Sequence, residues 1–211
     1  MIRLAFLRHG VTGWNREGRI QGRTDIPLDG EGRQRLARLT LPDGWRDAVL
    51  HASPLSRAVE TAERLGGARP VRRDARLIEM DWGAWEGLRG VDLRADPASG
   101  YRDLEDWGWD FRPPGGESPA DVRDRLTGWL AELAGGGVVP SPGAGEGQPQ
   151  PHLVVTHVGV MRVALALAWG WDFRGPPPLL VKRDRLYAMT LAADGTLRPA
   201  GGVEGERLPC V

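Results

Sequence analysis

The chain has 211 residues, 28 basic and 28 acidic side chains that cancel at pH 7, one cysteine and 41% hydrophobic residues. That length suits one domain over residues 1–211 that buries most of its apolar surface; the lone Cys210 excludes a disulfide scaffold, and zero net charge argues against a nucleic-acid-binding surface. No apolar run approaches the roughly 20 residues of a membrane span, and the start Met1, Ile2, Arg3 lacks the layout of a secretory signal, so no membrane association and a cytoplasmic location are expected.

Ile2 to Leu7 reads as a buried strand that ends in a sharp turn at Arg8, His9 and Gly10. A Gly- and Arg-rich loop follows, and a helix starting near Asp29 carries Leu36 and Leu39 inward. Ala48 to Ala52 is the next strand. Ser53 and Pro54 suit the N-cap and N1 positions of a helix running to about Leu65, where Gly66 and Gly67 stop it. From Gly83 the pattern loses any clean period. We expect an irregular, partly helical lid insertion over about 83–117, covering one edge and carrying Trp85, Trp107 and Trp109, with Trp82 just before it. Ser118, Pro119 and Asp121 form a capping-box-like start, and Val122, Leu126, Trp129, Leu130 and Leu133 keep helical spacing behind it. Residues 135–151 are nearly all Gly, Pro, Ser, Ala and Gln and are expected to form a flexible surface loop. Leu153 to Thr156 is a strand ending at His157, Val158 to Trp169 an apolar helix, and Leu186 to Leu191 a last strand. There is no internal repeat. The alternation predicts an α/β fold: a three-layer sandwich with a largely parallel central sheet and helices on both faces.

In such sheets ligands collect at the carboxyl ends of the strands. Arg8 and His9 end the first strand, Ser53 to Arg57 follow the second, and His157 ends a third, so two histidines and two arginines are expected on one edge. Of the 28 basic residues Lys182 is the one lysine and the other 27 are arginines, whose planar fork pairs with phosphate or carboxylate. GC-rich coding explains most of them, but those near the strand ends are placed to converge. His51 and His152 have no motif around them and read as structural.

The segment LRHGVTGWNREGRIQGRTDIPLDGEG, Leu7 to Gly32, resembles the RHG signature and following loop of the histidine phosphatase superfamily, which includes the cofactor-dependent phosphoglycerate mutases. SPLSRAVETA (53–62), LIEMDWGAWEG (77–87), PGGES (114–118) and VVTHVGVMR (154–162) resemble its other blocks, in order. The resemblance implies a phosphoglycerate mutase-like fold and a metal-independent phosphomonoester hydrolase that works through a phosphohistidine, with no cofactor, on a small phosphorylated metabolite. It implies His9 as nucleophile, Arg8, Arg57 and His157 as the rest of the phosphate pocket, Glu79 as proton donor, and Asn15, Gln21 and Gly22 on the substrate side. Asp81 and Glu86 lie close enough in sequence to compete with Glu79 for the acid role.

Physical chemistry supplies the reasons. A phosphomonoester dianion must be held while a nucleophile attacks in line, and positioning plus electrostatics supply most of the rate. Arg8 and Arg57 are each expected to offer two donors, the helix after Ser53 its first N–H groups, and His157 a proton. Arg16, Arg19 and Arg23 form either a solvated loop or a reader of a second anionic group. Two departures stand out: Val11 where these proteins commonly carry an acid, and Val158 in place of a customary glycine. The short lid and the resemblance to bacterial α-ribazole and broad-specificity phosphatases, in WN (Trp14, Asn15), QG (Gln21, Gly22) and PL (Pro27, Leu28), favour phosphatase over mutase. A phosphoglycerate mutase is the first alternative and a non-catalytic phospho-ligand binder the second.

Overall fold

In the computed structural model, which describes residues 1–136, 150–200, 202 and 204–210, Ile2–Arg8 forms strand β1. Its side chains alternate between two cores: Leu4 and Phe6 enter one, Ala5 and Leu7 the other. This is the signature of a strand buried on both faces. Gly13–Arg16 forms the short helix α1, capped by Thr12, and Gly30–Leu36 forms α2, capped by Asp29. Val49–Ala52 is β2, Ser56–Gly66 α3, Val71–Arg73 β3, Gly90–Ala95 α4 and Pro119–Ala134 α5. His152–Thr156 is β4, Val158–Trp169 α6, and Arg185–Leu191, Leu197–Pro199 and Glu206–Arg207 are β5, β6 and β7.

The sheet order is β3-β2-β4-β1-β5-β6, with β7 also paired to β5. The neighbouring pairs from β3 to β1 are parallel, whereas β5 runs antiparallel to β1 and β6 and β7 antiparallel to β5. The expected sandwich is therefore present, with its parallel centre extended by an antiparallel edge. Val122, Leu126, Trp129, Leu130 and Leu133 of α5 and Val160, Met161, Val163 and Ala164 of α6 cover the Leu4/Phe6 face. Leu36 of α2 and Ala58, Val59, Ala62 and Leu65 of α3 cover the Ala5/Leu7 face. Ser118 caps α5 with the reciprocal capping box that its sequence predicts. Residues 137–149 of the Gly/Pro-rich loop expected over 135–151 lie outside the described residues. No described helix is long and apolar enough to cross a membrane.

One local expectation is corrected. Helix α3 begins at Ser56, not at Ser53, with Leu55 in the cap position and no side-chain cap. The reason is non-local: Ser53 is fully buried and its hydroxyl accepts from His157 Nε2 at 2.7 Å. Asp25, from the loop after β1, takes the vacated role by accepting from Ser56 N (2.9 Å) and Ser56 Oγ (2.8 Å).

His51 on β2 and His152 on β4 are buried and joined Nε2 to Nδ1 at 2.9 Å, and the His51 ring meets Trp129 edge-on. Burial, then the His152 and Arg72 charges, push His51 down to about 3, and burial with Arg72 pushes His152 down to about 4. In the unfolded chain both titrate near 6.5. Between these values the unfolded chain binds more protons, so stability rises with pH across the window and is lost as pH falls below 6.5. Urea unfolding is expected to show a decline from pH 6.5 to 4.5 of up to ~1.4 kcal/mol per pH unit for each of the two histidines. His152→Asn should flatten that slope by one histidine's share; an unchanged slope contradicts the assignment.

Candidate active site

The parallel register fixes which side chains meet. Arg8 is level with Thr156 and Ala52 with Val155, so β1, β4 and β2 end together. His9 N donates to Thr156 O and Ser53 N to Val155 O, which carries the alignment one residue beyond the strands. The His9 and His157 rings lie 5.0 Å apart, centroid to centroid. Gly10 N donates to Thr61 Oγ1, whose hydroxyl in turn donates to Arg57 O, tying the turn after β1 to helix α3.

His9 is buried, and its Nδ1–H donates to Gly10 O at 2.7 Å. A carbonyl only accepts, so the proton sits on Nδ1 and the lone pair on Nε2. Burial, with the neighbouring His157 ring and the Arg57, Arg8 and Arg183 cations behind it, holds His9 well below the ordinary histidine range. The ring is neutral with one free nitrogen. Arg8 is pushed down to about 9 by burial and by Arg183, against the pull of Glu79, and its Nε is buried without a hydrogen-bond partner among the described residues. Both features mark a cation placed to receive an anion.

His157 and Arg57 are fully buried. Arg57 Nε donates to His157 Nδ1 at 3.3 Å, so His157 carries its proton on Nε2 and donates it to Ser53 Oγ. Burial, then Arg57 and Arg8, hold this ring also well below its usual range. His157 is neutral in the empty protein, because burial and the cations around it disfavour its charge; the protonated donor expected from the sequence is the state beside a bound dianion. Arg57 departs from the simple picture of two donors aimed at a phosphoryl group. Its Nη1 and Nη2 donate to Thr24 O (2.9 Å) and Gly22 O (2.6 Å), which clamps the 22–24 loop.

Glu79 is buried at the start of α6. Its Oε1 accepts from Met80 N (2.9 Å) and Gly159 N (3.0 Å). Burial raises its pKa, opposed by those two N–H groups and by Arg57 and Arg8. Gly159 is required here: a Cβ on it would sit 2.4 Å from Glu79 Oε1. The competing carboxylates serve elsewhere. Glu86 accepts from Arg23 N, Thr24 N and Thr24 Oγ1, bracing the loop beneath Gly22, where an added Cβ would lie 2.0 Å from Oε1. Burial works to raise Glu86, but these hydrogen bonds hold it below the usual range. Asp81 accepts from Gly83 N and faces Arg23.

Arg8, His9 and Glu79 open onto a cleft of about 460 Å³ that Asn15, Gln21 and Arg19 also line. Gln21 Oε1 accepts from Thr12 Oγ1 (3.3 Å) and Asn15 Nδ2 (3.4 Å). Gly22 acts through its carbonyl on Arg57 and does not line the cleft. Arg16 is paired with Asp29 and Glu31, Arg23 with Glu117 and Arg19 with Glu17; of the three, Arg19 lies on the cleft wall.

The model of the histidine phosphatase superfamily (branch 1) matches residues 4–196. The chain belongs to the histidine phosphatase superfamily. It is 36% identical over 163 residues to glucosyl-3-phosphoglycerate phosphatase of Mycobacterium tuberculosis, covering 75% of this chain and 71% of that one. It is also 36% identical over 139 residues to a probable phosphoglycerate mutase of Salmonella choleraesuis, covering 62% of each. The solved mycobacterial glucosyl-3-phosphoglycerate phosphatase with VO3 has a TM-score of 0.77 to this structure at 30% identity, covering 98% of this chain and 100% of that one. As a histidine phosphatase the chain is an enzyme of phosphomonoester chemistry, a phosphatase by the names that the first of these relatives carry.

The cleft of this histidine phosphatase is also lined by residues that the sequence alone did not single out. Arg162 lines the cleft one helical turn beyond Val158, which lines it too, and its guanidinium lies 5.7 Å from the Trp107 ring centre. The i, i+4 spacing from Val158, the residue after His157, was the available signal. Arg94, Tyr101, Asp103, Leu104, Glu105 and Trp107 come from the aperiodic stretch after residue 83. Of the four tryptophans there, Trp82 and Trp107 face the cleft; Trp85 stacks behind them and Trp109 packs on Phe173. Val11 lies outside the cleft, so its missing carboxylate leaves that wall unchanged.

Proposed function

We propose that this chain is a cytoplasmic, metal-independent phosphomonoester hydrolase that acts through a phosphohistidine on His9, with a small phosphorylated metabolite as substrate. One observation carries the reading: His9 Nδ1–H is fixed on Gly10 O, which leaves Nε2 as a free nucleophile in the cleft that Arg8 and Glu79 share.

Nε2 attacks phosphorus as the bond to the leaving oxygen breaks. Arg8 meets the phosphoryl oxygens with its unpartnered Nε–H, and the dianion restores the charge that burial disfavours on the empty protein. Arg57 keeps two of its five N–H donors free of the loop carbonyls and His157, enough to face a phosphoryl oxygen without releasing the 22–24 loop. His157 reaches the phosphoryl group by turning its Nε2–H away from Ser53 Oγ, and the arriving negative charge favours its protonation. Glu79, raised by burial, hands a proton to the departing alkoxide. Its carboxylate then takes a proton from the water that cleaves the phosphohistidine, returning histidine and inorganic phosphate.

The segment over 83–117 acts as the lid, supplying one wall of the cleft with Arg94, Tyr101 and Trp107. Aromatic faces beside Arg94 and Arg162, with Asp103 and Glu105 near them, suit a metabolite with hydroxyls and a carboxylate besides its phosphate, the chemistry in the name of the mycobacterial relative. Arg8, Arg57 and Arg162 supply the positive charge. Hydrolysis of p-nitrophenyl phosphate is therefore expected to proceed at full rate in EDTA; loss restored by magnesium overturns the reading. A panel of phosphorylated metabolites identifies the substrate class, with 3-phosphoglycerate scored for phosphate release and for isomerisation. Isomerisation that depends on 2,3-bisphosphoglycerate would make the protein a mutase. Tight phosphate binding with no turnover on any substrate would make it a phospho-ligand binder.

A further inference from the structure

On the other side of Arg8 lies a second cavity of about 470 Å³. Arg8 is the residue it has in common with the cleft; neither His9 nor Glu79 lines it. Arg35 of α2, Lys182 and Arg183 before β5, Arg185 on β5 and Arg207 on β7 complete a ring of six cations with one acid, Asp184. Asp184 is already paired with Arg35.

Three features of this ring stand out. Arg183 Nε and Nη2 are buried with no hydrogen-bond partner among the described residues. Buried guanidinium donors left unpaired are costly. Arg185 and Arg207 stand directly opposite each other in the antiparallel β5–β7 pair, and like charges at that spacing repel. Asp184 adopts a left-handed backbone, φ 58°, in the turn that carries Arg183 into the cavity. That turn is held: Tyr187 OH accepts from Lys182 N at 2.7 Å, and Asp184 O accepts from Leu208 N at 2.9 Å. The sole lysine of the chain and a left-handed turn thus converge where six cations face one lining acid, Asp184, which Arg35 already engages.

We propose that this cavity is a second oxyanion site, distinct from the His9 cleft, that binds inorganic phosphate through Arg183, Arg207 and Lys182. Phosphate supplies the acceptor oxygens that Arg183 lacks and separates Arg185 from Arg207 in charge. The site stands on the cation ring alone and does not depend on turnover. Because Arg8 borders both cavities, two phosphates bound together repel, so the second binds more weakly than the first. Arg183 already acts across this wall, adding to the depression of both Arg8 and His9.

Equilibrium dialysis with radiolabelled inorganic phosphate tests the proposal on the whole chain. The wild type is expected to bind two equivalents in two unequal classes. Arg183→Gln combined with Arg207→Gln should lose one equivalent and keep the other. Arg207 is exposed, so Arg207→Gln alone provides a variant with little folding risk, and it should weaken one of the two classes by about tenfold, as loss of one charge-assisted bond does. A single class of one equivalent in the wild type overturns the proposal. So does retention of both equivalents, at unchanged affinity, in the folded double variant.

Discussion

His9→Ala is expected to abolish turnover, by about 10⁴-fold or more, and with it every trace of labelled phosphoenzyme. The size of the effect follows from how little else in the cleft could attack phosphorus. Burial and four neighbouring positive or titratable groups keep His9 neutral, and Gly10 O fixes its tautomer, so the nucleophile is ready without a base to activate it. His157 is a poor substitute, because Arg57 holds one of its nitrogens and Ser53 the other. Rapid quenching of the wild type with labelled p-nitrophenyl phosphate should trap an acid-labile, alkali-stable phosphoryl adduct that the variant lacks. His157→Ala should slow its formation but leave the adduct detectable, since it removes a donor and not the attacking atom. An ordinary rate in His9→Ala, or an adduct that survives it, moves the nucleophile elsewhere.

What could be read from the chain alone follows a physical division. Strand β1 and the His9 turn were legible because an apolar run and a glycine are local signals, and the α5 capping box is complete within four residues. The start of α3 was not legible. Ser53 looks like a cap until His157, 104 residues away, claims its hydroxyl. Arg57 was recognised as a pocket residue, but two of its donors go to the carbonyls of Gly22 and Thr24, a matter of loop placement that spacing does not encode. The short strands β3, β6 and β7, of three, three and two residues, carry too little pattern to register. Glu79 could not be separated from Glu86 by position, and their surroundings separate them: one carboxylate is buried against α6 beside Arg8, the other is consumed in holding a loop. Arg183 escaped notice for the same reason, because its importance lies in what surrounds it in space.

Charge placement connects these observations. The chain is neutral in sum, yet Arg8, Arg57, Arg162 and Arg183 are all depressed by burial around one strand edge. Gathering cations in a poorly solvated place costs folding energy, and an arriving dianion recovers it. The same field explains why His9 and His157 are both neutral in the empty protein, and why a phosphoryl group would change the protonation of one of them.

Glu79→Gln is expected to separate substrates by leaving group. The amide keeps the size of the carboxyl and can still accept from Met80 N and Gly159 N, so the start of α6 should stay intact. It cannot give up a proton. Alkyl phosphates, whose alkoxide must be protonated as it departs, should therefore slow by about 10²–10⁴-fold, the usual worth of a general acid. p-Nitrophenyl phosphate leaves as a stable phenolate, so formation of its phosphohistidine should slow far less, visible as a preserved burst of p-nitrophenol. The following steady state should fall, because the same carboxylate is needed to activate water. Gly159→Ala should reproduce this signature in weaker form, since its Cβ would push against Glu79 Oε1. Equal losses on alkyl and aryl substrates, with the burst abolished, would assign Glu79 to holding the α6 terminus and leave proton transfer to another group.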